Sequence, residues 1–78
     1  MQVQVKLFSR FREHLPPEAR GEATINLPVG ATIDDLIDHL GIVRRVKLIT
    51  INGERQADYS RPLHDGDSVR VFPVVVGG

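Results

Sequence analysis

The chain has no cysteine. That excludes disulfide staples, a cysteine-ligated zinc site, an iron–sulfur cluster on thiolates and a cysteine nucleophile. It also has no net charge, because ten basic residues balance ten acidic ones. A balanced chain lacks the electrostatic footprint of a dedicated nucleic-acid binder. Aromatic residues are scarce, with three Phe, one Tyr and no Trp. Too few remain to interleave with basic runs as a stacking platform for nucleic acid. No apolar run approaches the roughly 20 residues that span a bilayer. The opening MQVQVKLFSR alternates instead of joining a basic region to an apolar block, so it does not read as a secretory signal. Low-complexity tracts and internal repeats are also missing. A cytoplasmic domain with no membrane and no nucleic-acid partner is the expectation.

What is present suits one small domain of 78 residues. At this length folding removes only about 60% of the surface that the unfolded chain exposes. Apolar residues at 41% and charged residues at 26% are enough for one core and do not read as disorder. Gln2 to Phe8 alternates, with Val3, Val5 and Leu7 on one face, the period of a half-buried strand. Ser9 is positioned to cap a short helix reaching His14 or Leu15, and Phe11 and Leu15 share one of its faces. Pro16-Pro17 ends that turn. Glu22 to Leu27 alternates again, placing Ala23, Ile25 and Leu27 together and predicting an antiparallel neighbour for the first strand.

The main helix is predicted after Thr32, a good N-cap. Asp34 and Asp35 suit the positive end of the helix dipole. Ile33, Leu36, Ile37 and Leu40 form a stripe aimed at a core, and Gly41 supplies a left-handed stop. Val46 to Asn52 is apolar on both faces and predicts a strand inside the sheet. Asn52-Gly53 is a turn. Residues 54–66 read as loop, with Leu63 plugging the core. Ser68 to Phe72 is the last strand, with Val69 and Val71 inward. The fold class is therefore α+β, a mixed sheet of four to five strands with one main helix packed on one face. A folded domain over residues 1–72 is followed by a tail, 73–78.

Most candidate chemistry reduces to surface. His14, His39 and His64 match no metal-ligand spacing, so no metal is expected. Asp34 and Asp38 share a helix face, as paired carboxylates for acid–base work would, but a solvated, capped helix explains them. Arg10 with Arg12, and Arg44, Arg45 and Lys47, form short basic runs that suit a solvated face or an acidic partner. The segment Pro73-Val74-Val75-Val76-Gly77-Gly78 is different. It spans roughly 20 Å at about 3.3 Å per residue. It is apolar where a free tail is usually polar, and its two glycines carry no side chain. Such an end can thread a narrow channel and present an α-carboxylate to another protein's active site.

These residues resemble the ubiquitin-like sulfur carriers of the MoaD/ThiS family along the whole chain. Residues 3–13 (VQVKLFSRFRE) look like the family's opening strand and turn. Ala31-Thr32-Ile33-Asp34-Asp35-Leu36-Ile37 is similar to its helix start. Ile51-Asn52-Gly53-Glu54 and Leu63-His64-Asp65-Gly66-Asp67-Ser68-Val69 follow in order. Phe72-Pro73-x-Val75-x-Gly77-Gly78 resembles the ending of the molybdopterin synthase small subunit, with Val74 where a second proline is usual.

The resemblance implies the β-grasp (ubiquitin-like) fold and a protein cosubstrate instead of an enzyme. Gly78 would be adenylated and then converted to a thiocarboxylate. Gly77, Val76, Val75, Val74 and Pro73 would thread the tail. Phe8, Phe11 and Phe72 are candidates for partner docking. The chain itself would bind no cofactor. ATP and Mg²⁺ would sit on a ubiquitin-activating-type adenylyltransferase, and the sulfur would pass to an acceptor such as the large subunit of molybdopterin synthase. A carrier for thiamine thiazole synthesis, a lysine-conjugating modifier and a non-covalent binding module remain open.

Overall fold

The computed structural model describes residues 1–43 and 45–74. The alternating segments form one five-stranded sheet: β1 (Gln2–Leu7), β2 (Glu22–Asn26), β3 (Val46–Ile51), β4 (Glu54–Gln56) and β5 (Ser68–Pro73), with helix α1 (Ile33–Leu40) between β2 and β3. The spatial order is β2-β1-β5-β3-β4. β1 pairs antiparallel with β2 and parallel with β5, and β3 pairs antiparallel with both β5 and β4. The first and last strands are thus the inner pair. This is the mixed sheet expected from the sequence pattern, in the β-grasp arrangement that the family resemblance implies.

Period-two alternation places Val3, Val5, Leu7, Ile49, Ile51, Val69 and Val71 on one face, where all are buried. Ile33, Leu36 and Leu40 of α1 cover them. The spacing of those three follows the helical period, so one stripe meets the sheet. Thr32 caps the helix through a reciprocal pair of bonds: Asp35 N–H donates to Thr32 Oγ1 at 3.2 Å, and Thr32 N–H donates to Asp35 Oδ2 at 2.9 Å. Gly41, at φ 74°, closes the helix in the left-handed region. Leu63 is buried from its loop, as expected.

Three local expectations are corrected. Ser9 does not cap a helix. Phe8 holds the cap position of the 3₁₀ turn Ser9–His14, no side chain caps it, and Ser9 itself sits at φ 54°. The stretch read as loop contains β4, a short edge strand pairing Glu54–Gln56 with Ile51–Ile49. Three residues are too few to show a period, and the pairing comes from the Asn52-Gly53 turn folding the chain back. Third, the last strand does not end at Phe72. Pro73 is buried and pairs with Val46. Proline lacks an N–H, which a strand end tolerates.

The turn before β5 is a polar brace. Asp67, only 7% exposed, accepts from Asn52 Nδ2 at 3.0 Å and from the His64 N–H at 2.9 Å. Asn52 in turn accepts the Ser68 N–H at 2.9 Å, and Asp65 accepts the Gln2 N–H at 2.7 Å. Each buried carboxylate oxygen has a donor, which burial requires. The brace fixes the start of β5 to β1 and to the end of β3. It therefore sets which side chains of β5 face outward.

Candidate functional site

The face of the sheet away from α1 has no covering layer among the described residues. On β1 and β5 it follows from parity. Phe8 comes after the inward Leu7, and Phe72 after the inward Val71. Their rings stack with centroids 4.2 Å apart at 12°. Leu48 of β3 is the register partner of Phe72. The three are half-buried but do not belong to the core, nor to the partly buried residues packed against it. They form an apolar patch at the end of the sheet where β5 finishes. Lys6 lies 5.4 Å from the Phe8 ring centroid and 3.6 Å from the Glu22 carboxylate.

The patch leads directly into the tail. Pro73 ends β5, and the Val74 N–H donates to the Arg45 carbonyl at 3.5 Å. The first two residues assigned to the tail are thus held against the body. Val75, Val76, Gly77 and Gly78 lie outside the described residues, as does Arg44. So does the site of the proposed chemistry.

Phe11 is corrected as a docking candidate. It is fully buried under the 3₁₀ turn and belongs to the core, so it offers no surface to a partner. Its sequence position gave no parity with which to separate it from Phe8. The histidines stand apart. His14 meets Phe11 edge-on at 6.2 Å between centroids, His39 lies in the last turn of α1, and His64 Nδ1 is 4.0 Å from Asp67. Among the described residues no group of three or more His, Asp or Glu side chains could hold a metal ion. Asp35 is engaged in the helix cap. Asp34 serves as a neighbouring charge for Tyr59, whose hydroxyl is pushed up in pKa first by burial and then by that carboxylate. No helix among the described residues is long and apolar enough to cross a membrane.

Leu48, Arg55 and Arg70 are features of this face that sequence reading did not select. The signal for Leu48 was the two-sided apolarity of Val46–Ile51. Arg70 alternates with Val69 and Val71, which assigns its face but not its neighbours. Those come from register: Lys6 opposes Arg70, Arg70 opposes Thr50, and Thr50 opposes Arg55.

The family described as Mut7-C ubiquitin matches residues 1–76. No curated protein matches the chain. Among solved structures, a candidate molybdopterin converting factor, subunit 1, from Pyrococcus furiosus is 33% identical, with a TM-score of 0.74 and coverage of 96% of this chain and 99% of that one. SAMP1 from Haloferax volcanii gives a TM-score of 0.74 at 23% identity over 100% of both chains. The complex of subunits 1 and 2 of molybdopterin-converting factor from Helicobacter pylori gives 0.66 at 22% identity, again over 100% of both chains. The last two likenesses establish the fold alone.

Proposed function

The chain belongs to the Mut7-C ubiquitin family, and from that premise we propose that it is a sulfur carrier acting through the carboxylate of Gly78. The observation that supports it most is continuity. The outward Phe8–Phe72–Leu48 patch sits at the end of β5, and the sequence runs on from there through Pro73 and valines to Gly77-Gly78. A partner gripping the patch would receive the tail beside it. Gly77 and Gly78 have no side chains to obstruct a narrow channel.

A carboxylate is a poor electrophile. In this reading an adenylyltransferase partner supplies ATP and Mg²⁺. The Gly78 carboxylate attacks the α-phosphorus and pyrophosphate leaves, giving an acyl-adenylate. A persulfide then displaces AMP, and a thiol cleaves the resulting acyl disulfide to free the thiocarboxylate. The body contributes docking and the tail contributes reach. The acceptor we propose is the large subunit of a molybdopterin synthase. The Pyrococcus likeness and the Phe72-Pro73-x-Val75 ending support that choice. A protein modifier would share the adenylation step, and the SAMP1 likeness in fold is compatible with it. Lysine-linked conjugates in the native cell would distinguish it from a carrier.

Intact mass of the chain isolated from its native cell is the test. A fraction heavier by the difference between sulfur and oxygen, located at Gly78, is the expected result. Deleting Gly78 should then abolish adenylation while the thermal unfolding curve stays in place. A native chain that continues past Gly78, or a deletion variant that is still adenylated, would overturn the proposal.

A further inference from the structure

The outward face carries a second feature that neither folding nor the tail explains. Across four neighbouring strands the register aligns Lys6, Arg70, Thr50 and Arg55 in one row. Like charges directly opposite each other weaken a sheet, and Lys6 and Arg70 are opposite. Glu22, one strand further out, answers only Lys6, at 3.6 Å. Among the described residues Arg55 and Arg70 make no ion pair. Between them, Thr50 Oγ1 is buried without a hydrogen-bond partner. An open depression lined by Gln4, Lys6, Glu22, Ser68 and Arg70 adjoins the row. The apolar patch borders it, since Phe72 and Leu48 oppose each other next to Arg70 and Thr50 along their strands.

Three of the ten acidic residues of this neutral chain stand together away from the row. The exposed carboxylates of Asp34, Asp35 and Asp38 lie on α1, beyond the opposite face of the sheet. Resting on the carrier reading above, we infer that the outward face docks on a protein surface that sets carboxylates around an apolar knob. Arg70 and Arg55 meet the carboxylates, and Phe72 and Leu48 meet the knob. Charge complementarity selects this occupant. A nucleic acid fits less well, because Phe8 and Phe72 already stack on each other and the chain has no net positive charge. The separated charges also orient the chain as it approaches an acidic surface, which raises the association rate in a salt-dependent way.

The test uses the purified adenylyltransferase of the source cell, with ATP, and the full chain carrying R55E, R70E, both, or R55K with R70K. Circular dichroism checks that each variant folds. The double reversal should raise KM for the carrier about 10-fold or more and flatten its salt dependence, while kcat at saturation stays near wild type. The double lysine variant should behave as wild type. An unchanged KM in the double reversal overturns the inference and leaves the carrier reading standing. If the wild-type chain is not adenylated at all, the carrier reading fails, and a second measurement decides this one. The ¹⁵N-labelled chain is titrated with the peptide acetyl-Glu-Glu-Leu-Glu-Glu-amide. Shifts at the Leu48, Thr50, Arg55 and Arg70 amides that vanish in the double reversal support the inference. Their absence, or stronger shifts with a single-stranded oligonucleotide, or a concentration-dependent rise in the mass of the chain alone, overturns it.

Discussion

On the α1 side of the sheet, every third or fourth residue of a helix meets every second residue of a strand, and Val3, Val5, Leu36, Ile49, Val69 and Val71 are shut away from water. On the other side the same strands display Phe8, Phe72 and Leu48 together with Lys6, Arg70 and Arg55. The first set is what a chain of 78 residues needs in order to fold. The second set is not required for that. Threonine or glutamine at those positions would solvate well and leave the core intact. On the reading proposed above, large apolar and like-charged residues side by side on this face answer to a partner outside the chain. On that reading, the difference between the faces separates what holds this protein together from what it is for.

The comparison breaks most visibly on the covered side. Leu36→Ala removes a fully buried side chain from the middle of the helix–sheet contact, and should cost about 2–5 kcal/mol in denaturant unfolding. The brace below β5 comes next. Asp67→Ala leaves Asn52 Nδ2 and the His64 N–H without their acceptor, for an expected loss of about 1–3 kcal/mol by the same measurement. The uncovered side should be cheaper. A double-mutant cycle of Phe8→Ala and Phe72→Ala should give a coupling of about 0.5–1.5 kcal/mol for the stacked pair. The single Phe72→Ala change should destabilise less than Leu36→Ala yet weaken partner binding more. If Phe72→Ala unfolds the chain as readily as Leu36→Ala, the two faces do not divide the labour as described.

The smallest effect lies on neither face. The exposed Asp58 carboxylate accepts from the Ser60 hydroxyl and N–H, and these bonds hold its pKa below the usual value. A carboxylate lowered in the folded state contributes stability above its unfolded pKa, and that contribution is lost as pH falls through the folded value. Ser60→Ala should move the Asp58 titration upward, as followed by NMR of its carboxyl carbon. It should leave both sets of faces unaltered.

How far the sequence could be read differs in the same way. Strand alternation, the stripe on α1, the Thr32 cap, the Gly41 stop and the Leu63 plug depend on neighbours within a few residues, and all are legible. The outward assignment of Phe8 and Phe72 was also within reach of parity. The row Lys6–Arg70–Thr50–Arg55 was not, because it exists only once residues up to 64 positions apart in the chain are placed in register. Phe11 was misplaced because a 3₁₀ turn has no strand parity and too few residues for a helical stripe. Ser9 failed as a cap because its own backbone enters the left-handed region. The Leu63–Val69 stretch fixes the fold locally: the Asp65 carboxylate accepts the Gln2 N–H, and that of Asp67 accepts the His64 N–H and Asn52 Nδ2.

The place of β5 between β1 and β3 has a mechanical consequence. A pull on the chain beyond Val74 directed along β5 loads that strand lengthwise, across the hydrogen bonds on both its edges. Loaded lengthwise, those bonds share the force and must yield together. Had the same segment continued from the edge strand β4, the pull would have peeled one bond at a time. The partner proposed above could therefore draw the tail along β5 without unravelling the body.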